Sequence, residues 1–444
     1  MPGKYEKVRT MRYRVLLINP WIYDFAAFNL WARPLGLMRV AEHLSAFDAE
    51  MSLIDCTESF GPKQYGAGKF RSEIVEKPDA LKKIPRYYRR YGIGADEFTG
   101  RLRSLMPVDF IMMTSVMSYW YPGVQKAIEL VRAAAGDVPV ILGGIYASLY
   151  HEHAAMRSGA DFVYKGHVRE SLNFALYTFG FKLKRKRAAL PYHRLNLYKA
   201  WPFAPVLTST GCPCRCSYCA SALLAPGYEK RPADAVIEEI GELYDQGVRD
   251  YAFYDDALLM DSENHIKPIL RSIAHNRPGI RFHTPNGLHA KGIDAELADL
   301  MKASNFKTLR LSLETINDAR QKATGGKVSP GDMEKAVSLL KQRGFTKNEI
   351  GVYLMCGLPG QETGEVREGI SFLKSLGVRI YLNEFSPIRR TKLWEELVQK
   401  GVIPDNMDPL LTNNTVFPYL YSGHDPEDIS SMKLDIKRYN ENDT

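Results

Sequence analysis

A chain of 444 residues is longer than one ordinary domain, so two or three domains are expected. Its 45% hydrophobic and 25% charged residues are those of a soluble globular protein, and no apolar run approaches the roughly 18 residues that a membrane-spanning helix needs. The net charge of +8 permits an acidic substrate or RNA without requiring either, and the charged opening residues 1–12 show no apolar leader core, which predicts a cytoplasmic protein.

The first half alternates strand and helix. Residues 14–20 (RVLLINP) are a short apolar run ending in a turn, as a buried parallel strand does. Pro34 opens a helical pattern through Leu44, at a helix start where its missing N–H costs nothing. Further strands are predicted over 50–55, 109–113, 138–142 and 161–164, with a helix over 124–135. This alternation predicts an α/β domain with a doubly wound parallel sheet over residues 1–190. Ligands of such sheets bind beyond the carboxyl ends of the strands. The residues there are Asn19, Thr114, Ser115, Met117, Gly143, Gly144 and Gly166. A flavodoxin-like domain that binds nothing carries the same pattern.

Residues 59–105 are too long for a normal strand connection and point to function or a lid. Within them, residues 85–91 (PRYYRRY) interleave arginine and tyrosine; a solvated helix with half-buried tyrosines is expected, the alternative being a clamp on an anionic ligand. Residues 61–69 superficially suggest a phosphate loop, but Phe70 replaces the required Ser or Thr and Lys63 replaces the first glycine. The basic run 182–187 (KLKRKR) reads as a solvated linker.

A strand over 205–210 leads into Gly211-Cys212-Pro213-Cys214-Arg215-Cys216-Ser217-Tyr218-Cys219, which holds four of the six cysteines. Cys212, Cys216 and Cys219 have the spacing C-x3-C-x2-C. Three thiolates on one loop can hold three irons of a [4Fe-4S] cluster, whose usual complement is four, and leave the fourth iron open. A structural zinc site wants four ligands, usually as two separated pairs; downstream there is only Cys356. A disulfide knot is not expected in a chain of this length with no sign of an oxidising compartment. Cys214 does not fit the spacing and is assigned to packing.

Beyond the loop, strands are predicted over 250–254, 280–284, 308–313, 349–355 and 379–384. Helices are predicted over 233–246, up to 274, and over 294–303, 331–343 and 364–376. Six βα units over residues 191–390 predict a partial (β/α)6 barrel with its chemistry at the carboxyl ends of the strands. Residues 391–444 form a C-terminal extension, irregular apart from a helix over 394–400, that is expected to close the open side or touch substrate.

The cysteine spacing, with Tyr218 just before the last cysteine, resembles the radical S-adenosylmethionine (SAM) enzymes, in which the open iron chelates the amino and carboxylate groups of SAM. Three later strand ends extend the resemblance. Asp255 and Asp256 stand where the family's G-G-E-like element meets the SAM amino group, and a carboxylate there accepts hydrogen bonds from an ammonium. Ser312 and Glu314 resemble the ribose element, and Gly357 and Pro359 the glycine-rich element that lets backbone approach adenine. Each alone is an ordinary turn just as readily; their joint order after the cysteine loop carries the resemblance. His289, after the third strand, is either a proton handler or a hydrogen-bonded structural histidine.

The strand ends of the first half resemble the cobalamin-binding domain found ahead of many radical SAM cores. Ser115-x-Met117 and Gly143-Gly144 stand where that family carries S-x-L and G-G elements. The D-x-H-x-x-G motif that supplies a lower cobalt ligand is absent from the sequence, so no histidine is assigned to cobalt. Together the resemblances imply a class B radical SAM methyltransferase with a [4Fe-4S] cluster, SAM and cobalamin. They imply methyl transfer to an unactivated carbon via methylcobalamin and a 5′-deoxyadenosyl radical, an electron donor such as ferredoxin or flavodoxin, and a small-molecule, lipid or peptide substrate. The alternative is a radical SAM cyclase, rearrangement or cross-linking enzyme whose first domain uses cobalamin otherwise or is empty. A non-catalytic iron–sulfur or cobalamin carrier would cleave no SAM.

Overall fold

The computed structural model describes residues 12–60, 68–166 and 168–442. The charged opening residues and most of the rejected phosphate loop lie outside them. The chain divides into two compact units, Met1–Ala200 with Pro409–Leu411, and Trp201–Asp408 with Thr412–Thr444.

In the first unit, five parallel strands run in the spatial order Phe162–Val163, Val140–Leu142, Phe110–Met113, Tyr13–Asn19, Ala49–Asp55. The chain adds its second strand on one side of the first and its third on the other. The order therefore reverses between Tyr13–Asn19 and Phe110–Met113, the place where doubly wound sheets bind ligands. Val15 to Ile18 and Phe110 to Met113 are buried throughout, because helices cover both faces of a parallel sheet and each strand becomes a continuous apolar run.

The insertion differs from the helix expected over 85–91. Arg89–Tyr91 is a strand, paired antiparallel with Ile22–Asp24 and Ser72–Ile74. Tyr88 and Tyr91 are buried and Tyr87 is exposed. Aromatic residues fit a half-buried pleated surface, and the cross-strand partners Arg90 and Glu73 form an ion pair at 2.9 Å. A helix, Ala95–Leu105, then returns the chain to the third strand.

Asp55 ends the second strand almost fully buried. Its Oδ1 accepts from Asn19 Nδ2 at 2.8 Å, Thr57 N at 2.9 Å and Thr57 Oγ1 at 2.8 Å, while its Oδ2 accepts from Tyr198 Oη at 2.7 Å. Arg33 lies 3.5 Å from the same carboxylate, with its guanidinium 4.1 Å from the centre of the Tyr198 ring. This network ties the segment leaving the unit to the strand ends.

In the second unit six parallel strands are neighbours in chain order: Ala204–Val206, Asp250–Phe253, Arg281–His283, Phe306–Glu314, Ile350–Cys356 and Arg379–Glu384. This is the arrangement of a partial (β/α)6 barrel. The strand expected over 205–210 is broken. It leaves the sheet after Val206, and Ser209–Gly211 pairs antiparallel with Tyr228–Lys230 instead. The cause is the buried Asp255 carboxylate. Its Oδ1 takes hydrogen bonds from Thr208 N and Oγ1 and from Ser209 N and Oγ, at 2.6–3.0 Å.

The extension contains a helix, Pro426–Glu441, that the sequence reading missed. It buries Ile429, Met432 and Ile436 in the core. Asn440 acts as a neighbouring strand for the last, edge strand, its Oδ1 accepting from Ile380 N at 3.0 Å and its Nδ2 donating to Ile380 O at 2.8 Å. Among the described residues, no helix is long and apolar enough to cross a membrane.

Asp55→Ala strips the acceptor shared by Asn19, Thr57 and Tyr198. Chemical denaturation is expected to show a loss of about 3 kcal/mol, against about 1 kcal/mol for Tyr198→Phe.

Candidate active site

The cysteine loop begins at Gly211, whose φ of +76° and close contact both demand glycine: a Cβ there would lie 1.9 Å from Gly227 O across the hairpin. All four loop cysteines are free thiols. Cys219 N donates to Cys216 O at 3.1 Å, and Cys219 Sγ accepts from Ser221 N at 3.4 Å. The loop is gripped from outside by two backbone bonds, Ser217 N to Thr324 O at 3.2 Å and Leu393 N to Ser217 O at 2.8 Å. Gly325, at φ +135°, packs so tightly that an added Cβ would stand 2.9 Å from Cys216 Sγ.

Behind the loop lies a cation that the sequence reading did not single out. The half-buried Lys327 has its ammonium 5.6 Å from the centre of the Tyr218 ring. Burial pushes its pKa down, but Tyr218, Glu314, Cys216 and Cys219 outweigh burial and raise it, so Lys327 is held charged. Its signal in the sequence is Gly325-Gly326-Lys327, a glycine pair at positive φ that turns the chain back towards the loop.

Glu314 is buried at the end of the fourth strand in a left-handed conformation, φ +68°. Such strain in a non-glycine residue gathers at functional sites. A register shift between Ser312 and Glu314 re-aims the strand end. Burial raises the Glu314 pKa, opposed by the Lys327 charge and by hydrogen bonds from Ser312 and Tyr218. Tyr218 is thereby brought together with Ser312 and Glu314, which lie about a hundred residues further along the chain. The Ser312 hydroxyl lies against the bare backbone of Gly287, where a Cβ would come within 2.0 Å of Oγ.

The other candidates take more varied places. Asp255 holds the approach to the loop through Thr208 and Ser209; its neighbour Asp256 is exposed. Gly357 has a φ of +86°. The turn containing Pro359 is held by Arg320, which donates to Pro359 O at 2.9 Å and Gly360 O at 2.8 Å and is itself fixed by Glu365. A cavity of about 400 Å³ opens beside this turn, between Ser217, Thr324, Pro359 and Leu393. Burial, then the charge of Lys327, lowers the His289 pKa to about 4, so its ring is neutral near pH 7. That argues against His289 donating a proton there. Cys214 is not simply packed away: its Sγ, Cys212 Sγ and a ring nitrogen of His289 all lie within 4.8 Å of one another.

In the first unit, Ser115, Gly143 and Gly144 come together at the strand ends. Ser115 Oγ donates to Gly143 O at 2.7 Å and accepts from Ala147 N at 3.3 Å. A Cβ on Gly144 would stand 2.3 Å from Ser115 O, and one on Gly143 2.5 Å from the Tyr164 ring. Thr114 is buried, Met117 is exposed and Gly166 has a φ of +94°. Asn19 spends its amide on Asp55 and Thr57.

Residues 206–373 match the family model described as the Radical SAM superfamily. The chain therefore carries a radical SAM catalytic domain. It is 25% identical to an uncharacterized methyltransferase of Pyrococcus horikoshii over 214 residues, 47% of this chain and 45% of that one. It is 22% identical to the ribosomal protein uS12 methylthiotransferase RimO of Parabacteroides distasonis over 220 residues, 47% of this chain and 50% of that one. The chain thus spans about half the length of these curated relatives. Among solved structures, the radical SAM methyltransferase TsrM of Kitasatospora setae aligns with a TM-score of 0.64 and 17% identity, over 87% of this chain and 76% of that one. The cobalamin-dependent radical SAM enzyme OxsB aligns with a TM-score of 0.56 and 10% identity, over 96% of this chain and 71% of that one. The fold is that of cobalamin-dependent radical SAM enzymes.

Gly325→Ala is expected to displace Cys216 and lower iron per chain after anaerobic reconstitution to less than half of the unaltered protein's. Gly326→Ala, strained by its φ of +61° but with nothing within 4 Å of its Cβ, should retain more of the iron than Gly325→Ala.

Proposed function

We propose that the protein is a cobalamin-dependent radical SAM enzyme that transfers a methyl group to an unactivated carbon. The observation that carries this reading is the gathering of free thiols, Lys327, Tyr218, Glu314 and Ser312 at the carboxyl ends of the barrel strands. The donor set fits a cluster: soft thiol ligands beside a half-buried cation, which offsets the negative charge that the cluster brings.

Cys212, Cys216 and Cys219 would hold the [4Fe-4S] cluster. Ser312 and Glu314 would take the ribose hydroxyls of SAM, the backbone around Gly357 and Pro359 its adenine, and Asp256 its amino group. Tyr218 would line the same pocket, and Asp255 would keep the loop in place. Thr114, Ser115, Met117, Gly143, Gly144 and Gly166 would border cobalamin at the sheet's switch point, where the Ser115 hydroxyl bonds to Gly143 O and Ala147 N. Asn19 would act there through Asp55. When bound, these groups supply reductive cleavage of SAM to a 5′-deoxyadenosyl radical and a transferable methyl group. The protein's own part is to position them and exclude water. An electron donor such as ferredoxin or flavodoxin, a small-molecule, lipid or peptide substrate, and the reducing cytoplasm suit this chemistry.

The methylthio transfer named in some relatives is not carried over. Outside the loop the chain has only Cys56 and Cys356, both buried and far apart in sequence, with no second cysteine cluster for sulfur insertion.

Anaerobic protein given SAM and a strong reductant is expected to form 5′-deoxyadenosine, and Cys216→Ala to form none. With a methyl-accepting substrate, S-adenosylhomocysteine should appear alongside it. Undiminished 5′-deoxyadenosine in Cys216→Ala would sink the cluster assignment. Turnover of substrate with 5′-deoxyadenosine but no S-adenosylhomocysteine would replace methyl transfer with a cyclisation, rearrangement or cross-linking reaction.

A further inference from the structure

We propose that Cys212, Cys214 and His289 form a second metal site, which takes one soft divalent cation such as Zn²⁺ when the iron–sulfur cluster is absent. Their ligand atoms lie within 4.8 Å of one another, and among the described residues this is the set of histidine, cysteine and carboxylate ligands that gathers at single-ion spacing. Around one tetrahedral ion, with metal–sulfur and metal–nitrogen bonds of about 2.3 and 2.0 Å, donor atoms stand about 3.5–3.8 Å apart. Closing onto an ion therefore needs shifts of about 1 Å, within the reach of side-chain rotation. A four-iron cluster, by contrast, places each thiolate on a separate iron.

The three ligands come from firm supports. Pro213 fixes one backbone dihedral between the two cysteines. His289 belongs to the short strand Leu288–His289, held in register with Leu311 and Ser312 of the fourth barrel strand. All three residues are half-buried, which leaves room for a water as fourth ligand. Binding would release the two thiol protons to solvent, and the two resulting thiolates neutralise the charge of the ion.

The site gives Cys214 and His289 a joint role that the cluster reading does not assign. Cys212 is shared, so zinc and the cluster exclude one another. Zinc held there delays cluster assembly until it leaves.

The test uses the full-length chain, freed of metal by chelation and titrated with Zn²⁺ against a chromophoric chelator. The expected result is one zinc per chain, with Co²⁺ giving the intense visible bands of a tetrahedral thiolate site. Cys214→Ala and His289→Ala should each weaken zinc binding at least tenfold. Cys216→Ala and Cys219→Ala should leave it unchanged. Cys214→Ala should still take up iron anaerobically, which separates loss of the zinc site from loss of the fold. Zinc loading should slow iron uptake in the unaltered chain and not in Cys214→Ala. Tight zinc binding that survives in Cys214→Ala and His289→Ala, or that is lost equally in Cys216→Ala, overturns the proposal. Because the titration involves neither SAM nor cobalamin, it can fail while the radical SAM reading stands.

Discussion

The rest of the site depends on one half-buried ammonium, that of Lys327. Three cysteines, a tyrosine and a glutamate gathered at the ends of barrel strands form a crowd of groups that repel once ionised, in surroundings that penalise charge. Lys327 sits among them, and its raised pKa reports the strength of that negative field. Burial raises the Glu314 pKa, and the Lys327 charge opposes that rise. A cation in that place offsets part of the cost of ionising the groups around it.

The surrounding fold serves to keep this arrangement rigid. Asp255 draws Thr208 and Ser209 out of the first strand's path and so sets where the cysteine loop begins. The backbone bonds from Ser217 to Thr324 and Leu393 hold the loop's middle. Arg320, clamped by Glu365, fixes the glycine-rich turn, while Thr315, one residue beyond Glu314, donates to the same Glu365 carboxylate at 2.6 Å. Two strand ends are therefore coupled through one ion pair. Precision of this kind is what positioned cofactors require, since supports that slip by an ångström lose orientation.

The larger architecture was legible in the sequence because its signals are local. Buried parallel strands read as apolar runs, as Val15 to Ile18 do, and intervening helices carry a period near 3.6. The cysteine spacing and the order of strand-end residues likewise sit in short windows. What stayed hidden depends on distant partners. The break after Val206 is set by Asp255, far along the chain. Arg89–Tyr91 became a strand because Ile22–Asp24 and Ser72–Ile74 offered edges to pair with. The helix Pro426–Glu441 has a mostly polar surface and gains its place from Ile380 and the core. Lys327 lies 111 residues from Cys216, and His289 lies 75 residues from Cys214, so only folding brings them together.

The most direct measurement of the central claim is iron and cobalt per chain, on protein made and purified without oxygen in cobalamin-supplied cells. The account predicts four irons with one cobalt, the iron disappearing in a triple Cys212, Cys216 and Cys219 to Ala variant that keeps its cobalt. Protein that is well folded and active on SAM yet binds cobalt at no more than trace levels would contradict the cobalamin assignment. Iron that persists in the triple variant would contradict the site itself.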